Sequence, residues 1–449
     1  MRTRGWPVWI FLCSLGVLVL ALACGRKTAV RRGSAGGPVV TLPDDKPRTL
    51  APLPARTPTP KLARLRDRAM QATAAARGLD WQTAPGVIEL TGWEYGTRSK
   101  EMADALGGEE LRALSRLAVA GGMLPEGTDL ATLAASFAAA SAGATYSPLD
   151  KQVLLLADPR GKTPANDSLL AHEFTHALQD QHFDLLKLLL ARPYDFDREE
   201  ALFAVVEGDA VDVQRRLEQG DAWTRRPLED LARFEDQRFD FYRKEIGALF
   251  PPLLTETFIF RYRDGVRFVE AVRRKGGARA VDELFRRPPA TSAQVLHPEK
   301  YFADERPPAV SVNEQSFAAE GWTTNAATPL GEIGVRGLLL KAHAPKDAAR
   351  AAAGWAGDRA YLFERAAAPA PLFVWQTNWD NTTDAEEFCR AYNALLRQTA
   401  TPAQTNAANV SAWREGQLLV VVRLDAAAVL VVRGAESDVR AALALVPPQ

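Results

Sequence analysis

Histidine occurs only 5 times in 449 residues, yet two of the five, His172 and His176, stand four apart in His172-Glu173-Phe174-Thr175-His176. On a helix that spacing sets the two imidazoles one turn apart, about 40° from each other around the axis, so both reach one ion. Zinc takes neutral imidazole nitrogens in a tetrahedral set and, where it is catalytic, keeps one position for water. Glu173, beside the first histidine, is placed to take a proton from that water as it attacks a carbonyl. His172 and His176 are therefore the expected Zn2+ ligands and Glu173 the expected catalytic base. By composition alone, such a pattern arises by chance with a probability on the order of a few in a thousand. The plain alternative is two histidines satisfied inside a helix core.

Two residues compete for the third ligand. His182 stands where the longer HExxHxxGxxH pattern of metzincins puts its last histidine, but Gln179 replaces the glycine that would turn the chain there. On a continuing helix His182 points about 80° away from His172. The chain also lacks any methionine after Met123, whereas metzincins carry a methionine turn. Glu207 fits better. It lies in ALFAVVEGDAVD, Ala201 to Asp212, behind Val205 and Val206, and an ionised carboxylate in such surroundings is costly unless paired or metal-bound. Gly208 would let this helix approach the motif helix closely. Asp209 is expected to orient a ligand imidazole through its free nitrogen. Glu200, two turns earlier on the same face, is the reserve ligand.

These residues need elements to hold them. Lys151 to Ala157 (KQVLLLA) has the length and apolar content of a strand, and Asn166-Asp167-Ser168 supplies N-cap chemistry for a helix from Leu169 to about Arg192, stopped by Pro193. A second helix is expected from Asp197 to Gly220. Upstream, Ala-rich helical stretches include Leu111 to Val119 and Leu130 to Ala140. Downstream, helices fill Leu228 to Lys275, and a Pro-punctuated loop carries Pro288 to Tyr301. Beyond Pro308 the pattern predicts a helical stretch at Gly331 to Ala353, a strand at Leu372 to Thr377 and a helix at Asp384 to Arg397. Two valine-rich strands around Asp425 and a last helix at Glu436 to Leu445 complete it. Trp355 to Arg359, Trp375, Trp379 and Asp380 are read as loop residues beside strands, the tryptophans fixing strand ends. Cys389 lies on an apolar helix face, as a buried thiol would.

Composition is that of an ordinary globular chain, 47% hydrophobic and 24% charged, with room for two or three domains. The balance of 55 basic and 55 acidic side chains leaves no field to draw in nucleic acid. Arg2 and Arg4 precede an apolar run from Trp9 to Ala23, the layout of an export signal. Its end, Leu20-Ala21-Leu22-Ala23-Cys24, resembles the lipobox of bacterial lipoproteins. That implies acylation of Cys24 and attachment to the cell envelope, and Gly25 implies the outer membrane if the cell is Gram-negative. With Cys13 in the signal and Cys24 lipidated, Cys389 has no intrachain disulfide partner. The expected organisation is a signal over residues 1–24, a flexible Pro-rich tether over 25–61, a catalytic domain over 62–308 and an α+β accessory domain over 309–449.

KQVLLLA, HEFTHALQDQHF and VVEGDA together resemble the core of a gluzincin-type zinc peptidase. More closely, they are similar to bacterial lipoproteins that share LxHExTHALQDQHFDL, an EGDA helix, and later QVLHPEKY and GWxGDR segments. The resemblance runs from Tyr146 to Tyr301 and, more loosely, from Gly331 to Tyr392. It implies an α+β fold, a mostly helical zincin-like domain with a small substrate-edge sheet, and His172, His176 and Glu207 around zinc. The strand Lys151 to Ala157 would then bind substrate backbone as an added strand. His297 and Tyr301, in QVLHPEKY, are the candidates to stabilise a tetrahedral intermediate. The function expected is a cell-envelope zinc endopeptidase acting on a peptide or protein. Its rivals are a lipid-anchored binding scaffold with a structural zinc site, and a zinc hydrolase of a non-protein amide.

Overall fold

The computed structural model describes residues 52–448 except 131, 134–135, 137–142, 157–165, 191–194, 246, 367 and 406. It also describes a strand pair, β1 (Ala29–Arg32) and β2 (Pro38–Thr41), antiparallel with Ala29 opposite Thr41. The signal segment, with Cys13 and Cys24, lies outside the described residues. The strand pair falls in the stretch read as tether, and so does the start of the first helix, α1 (Pro60–Arg77). Thr59 accepts the Leu62 N–H and Pro60 opens the helix, a cap-plus-proline start that apolar periodicity does not register.

A three-stranded sheet follows, built from β3 (Gly86–Leu90), β4 (Ala144–Ser147) and β5 (Gln152–Leu156) in the order β3-β5-β4. Strand β5 runs parallel to β3 and antiparallel to β4. Both of its edges are therefore filled, which overturns the expectation that KQVLLLA offers an edge to a substrate. The cause is Gly86–Leu90, an apolar five-residue run hidden among Ala-rich helices. The outer strands of this sheet are β3 and β4. A long helix, α2 (Gly92–Ala120), opens with a reciprocal cap between Thr91 and Glu94.

The motif helix is α3 (Asp167–Phe183). Asn166 accepts the Leu169 N–H at its start, and Asp184 ends it in the left-handed conformation at φ 54°. It stops well short of Arg192, because Asp184 breaks it before a separate turn, α4 (Leu185–Leu190). One side of α3 is apolar: Leu169, Leu170, Phe174 and Ala177 pack with Val87, Val153 and Leu155 of the sheet and with Leu62 and Ala69 of α1. The next helices are α5 (Phe196–Gln219), capped by Asp195, then α6 (Leu228–Glu245) and α7 (Pro252–Arg286). Helices α5 and α7 meet backbone to backbone. A Cβ on Gly208 would lie 2.3 Å from the Gly265 carbonyl carbon, and one on Gly265 would lie 2.3 Å from the Ala204 oxygen. Gly208 thus admits α7 and not, as expected, the motif helix.

Two short helices, α8 (Ser292–Leu296) and α9 (Pro298–Phe302), pack on the core of the helical half through Val295, Leu296 and Tyr301. The C-terminal part then carries α10 (Gly331–Leu339), α11 (Pro345–Ala352), α12 (Thr382–Leu396) and α13 (Glu436–Leu445) around a seven-stranded sheet. Its strands are β6 (Thr323–Thr328), β7 (Trp355–Glu364), β8 (Leu372–Trp379), β9 (Thr401–Ala403), β10 (Val410–Glu415), β11 (Leu418–Asp425) and β12 (Ala428–Gly434). Their order is β6-β7-β8-β12-β11-β10-β9, antiparallel throughout. Phe373, Trp375, Val420, Val422, Val429 and Val431 face α10, α11 and α12, while the alternate residues Val374, Val421, Leu430 and Val432 face Phe317 and α13. Burial on both faces is why these strands read as unbroken valine runs. The predicted helix Gly331 to Ala353 is two helices, parted before Pro345, whose ring cannot continue the first. Trp355 to Arg359 and Trp379 lie within strands, not loops, and Trp375 lies in the strand expected at Leu372 to Thr377. The architecture is α+β, helical in the first half and sheet-based in the second. Among the described residues no helix is long and apolar enough to cross a membrane.

Candidate metal centre

Helix α3 presents His172 and His176 toward α5, which returns Glu207. Nε2 of His172 lies 3.1 Å from Glu207 Oε2, and Nε2 of His176 lies 3.5 Å from the same oxygen. One ligand atom from each of the three residues lies within 4.8 Å of the others, and no other such trio of metal-ligating side chains occurs among the described residues. All three are buried, none more than 2% exposed. The two short spacings can be tested against the ion. Zinc bonds of ~2.0–2.1 Å in a tetrahedral set put neighbouring ligand atoms about 3.3 Å apart. The observed separations bracket that value.

The electrostatics favour a positive charge among these groups. Burial works against an imidazolium at His176, but Glu207 outweighs it and raises its pKa to about 9. Burial likewise opposes ionisation of Glu207, yet the two histidines bring it down to about 2. His176 Nε2 and Glu173 Oε1 are buried with no hydrogen-bond partner, a state that costs free energy unless a proton or metal supplies the missing contact. The residues therefore fit a divalent cation of zinc's ligand preference.

Glu173 is fully buried beside the histidines, and its Oε2 accepts the Tyr146 backbone N–H at 2.6 Å. Tyr146 is in turn fixed by its hydroxyl, which donates to Asp180, a carboxylate also held by Lys151. Strand β4 thus grips one oxygen of the expected base and leaves the other unpartnered.

Behind the histidines stand two glutamines to which the sequence reading assigned no role at the metal. His176 Nδ1 lies 3.0 Å from Gln179 Oε1, and His172 Nδ1 lies 3.3 Å from Gln214 Oε1. Asp209 does not touch an imidazole, as was expected of it. It accepts from the Gln179 amide at 2.9 Å and from Arg77 Nε at 2.7 Å, so it acts one residue further out. Burial raises its pKa, but Arg77 and Arg273 hold it below the ordinary value. Helical spacing could have found both glutamines: Gln179 follows His176 by three positions, and Gln214 follows Glu207 by seven. Nothing local marks Arg77. Tyr262 of α7 stacks on His172, centroids 6.1 Å apart and rings 18° from parallel.

The remaining candidates sit elsewhere. Glu200, the reserve ligand, is engaged by Arg261 at 2.6 and 2.8 Å. His182 is hydrogen-bonded to the Asp80 carbonyl at 2.8 Å. His297 Nε2 lies 3.0 Å from both oxygens of Glu332, whose hydrogen bond and charge raise its pKa against the opposing effect of burial. The Tyr301 hydroxyl donates to the Arg287 carbonyl, and its ring packs edge-on against Phe268. The contacts of His297 and Tyr301 are thus with Glu332 and Arg287, not with the histidine pair. Cys389 is half-buried on α12, and burial raises its thiol pKa.

A family model described as a domain of unknown function, DUF8575, matches residues 290–444, roughly a third of the chain. It takes in the seven-stranded sheet and the QVLHPEKY segment with His297 and Tyr301. The His172, His176 and Glu207 trio lies outside it. No curated protein and no solved structure matches the chain.

Proposed function

We propose that this chain is a zinc-dependent peptidase of the cell envelope, hydrolysing peptide bonds in peptide or protein substrates. The observation that carries the reading is the convergence of two imidazole nitrogens on one carboxylate oxygen, at 3.1 and 3.5 Å, beside a buried glutamate with one free oxygen. His172, His176 and Glu207 would hold the metal; bound there, zinc would supply Lewis-acid polarisation and a water of lowered pKa. Glu173 Oε1 is the atom available to take the proton, while the Tyr146 amide keeps the other oxygen oriented. Tyr262 covers the face of His172 and keeps water from that side. The N-terminal pattern around Cys24 supports export and lipid attachment. A zincin-like catalytic half would place this site on α3 and α5, as the sequence resemblance implies.

One observation favours the scaffold reading: the ligands and Glu173 are at most 2% exposed, as in a structural site, which is closed to solvent. The two readings part on cleavage. Metal content and hydrolysis of an unstructured protein should be measured on the purified chain and on Glu173→Gln. One zinc per chain with cleavage that vanishes in the variant supports the peptidase. One zinc with no cleavage, and a melting temperature that falls on chelation, supports the scaffold.

A further inference from the structure

We propose that Arg77, the last residue of α1, is a positioning residue for the metal centre, acting on His176 through Asp209 and Gln179. The proposal rests on the metal-site reading above. Imidazole has two neutral tautomers, and only the one protonated at Nδ1 leaves Nε2 free for a metal. An acceptor at Nδ1 selects that tautomer. A glutamine amide, however, can present either its oxygen or its NH2, and its far end decides which.

For Gln179 the far end is doubly determined. Its Nε2 donates to the Val206 carbonyl at 3.0 Å and to Asp209 Oδ2 at 2.9 Å. Turned over, the amide would point its oxygen at two acceptors, one of them charged, and offer NH2 to His176. That orientation selects the tautomer that blocks the metal. The carboxylate enforcing the choice is fully buried and depends on Arg77, which donates Nε to Asp209 at 2.7 Å and a terminal nitrogen to Asp282 at 2.8 Å. Arg273 stands further off, 3.7 Å from the other oxygen of Asp209. The bridge to Asp282 fixes the guanidinium, the guanidinium fixes Asp209, and Asp209 fixes the amide.

His172 is served by a parallel but softer arm. Gln214 Nε2 donates to Ser168 Oγ at 2.8 Å and to Glu218 Oε1 at 3.3 Å. Ser168 and Glu218 also bond each other. Glu218 is 29% exposed in its side chain, against 0% for Asp209. Water can replace a lost partner on this arm; it cannot reach the other. The charge-backed arm on His176 should therefore contribute more to metal affinity.

Zinc affinity, read by competition with a chromophoric chelator, tests this without turnover. Gln179→Leu should weaken zinc binding by about ten- to a hundredfold, as loss of a group orienting a ligand histidine does. Gln214→Leu should cost less. Arg77→Lys keeps a charge beside Asp209 but cannot bridge to Asp282, so it should weaken binding several-fold while preserving the unfolding midpoint of the metal-free protein better than Arg77→Ala. Because Arg77 acts through Gln179, the double variant should bind no more weakly than Gln179→Leu alone. Losses that multiply in the double variant, or unchanged affinity in both single variants, would overturn the proposal and leave the metal site standing. Absence of zinc binding by the unaltered chain would overturn both.

Discussion

Gly208→Ala should destabilise the protein, although alanine is the better helix former. The substitution removes the disadvantage of glycine within a helix, about 1 kcal/mol. Against that, the new Cβ would sit 2.3 Å from the Gly265 carbonyl carbon, 2.4 Å from its oxygen and 2.8 Å from the Val266 nitrogen. Carbon atoms rest at about 3.5–4.0 Å, so α5 and α7 must part by more than 1 Å. The obstructing atoms are backbone, and no side-chain rotation relieves them. Overpacking commonly costs about 1–3 kcal/mol; a backbone clash belongs at the top of that range, giving a net loss of about 2 kcal/mol. For a body of this size that corresponds to a melting temperature lower by roughly 4–8 °C. Calorimetry on metal-free protein measures it, with Gly96→Ala as the control: a Cβ there meets nothing within 4 Å, so that variant should gain stability. A Gly208→Ala protein as stable as the unaltered chain would refute the argument, because it would mean the two helices slide apart freely.

Other expectations follow from the same contacts. Glu207→Ala should lose zinc and His182→Ala should keep it, since His182 is engaged with the Asp80 carbonyl; metal content by mass spectrometry separates them. Glu173→Gln should retain zinc and lose hydrolysis, and cleavage persisting in that variant would remove Glu173 from the role of base. The third concerns pH. Asp358 is buried beneath N–H groups of Leu330, Gly331, Trp355 and Trp375, and burial outweighs those donors to raise its pKa from 3.8 to about 6. An acid whose folded pKa is raised stabilises the fold most below its unfolded pKa. That contribution should fall by about 1.4 kcal/mol per unit as pH rises from about 4 to 6. Denaturant unfolding of the unaltered chain minus that of Asp358→Asn isolates the slope; a difference independent of pH would show the carboxyl is not protonated in the fold.

What could be read from the sequence was what depends on neighbours along the chain. His172, Glu173 and His176 share one helix, and a four-residue spacing states their geometry outright. Glu207 could be reached because a charge among valines demands a partner. The helix Glu436–Leu445 and the strands on either side of Asp425 were visible in their periodicity. What escaped depends on partners far away. Gly86–Leu90 is too short to reveal that it fills the edge of β5. Pairing order in the seven-stranded sheet has no local sign. The partners of His297, Tyr301 and Asp209 had no local sign for the same reason: Glu332, Arg287, Gln179 and Arg77 come from other elements.

The bond between Arg77 and its two carboxylates also sets an order of events. Its partners lie 132 and 205 residues downstream, so at a synthesis rate of about 5–20 residues per second the guanidinium waits on the order of ten to forty seconds for Asp282. Closing loops of that length is entropically costly, and contacts so distant in sequence form late. Helix α1 is consequently the keystone of the first half, set after α5 and α7 are in place. As a helix packed on α3 and the three-stranded sheet, it can also leave without breaking any strand pairing. Its amide protons should exchange with solvent ahead of those of α5, and a chain truncated before Asp282 should leave α1 open to proteases however much of the rest has folded.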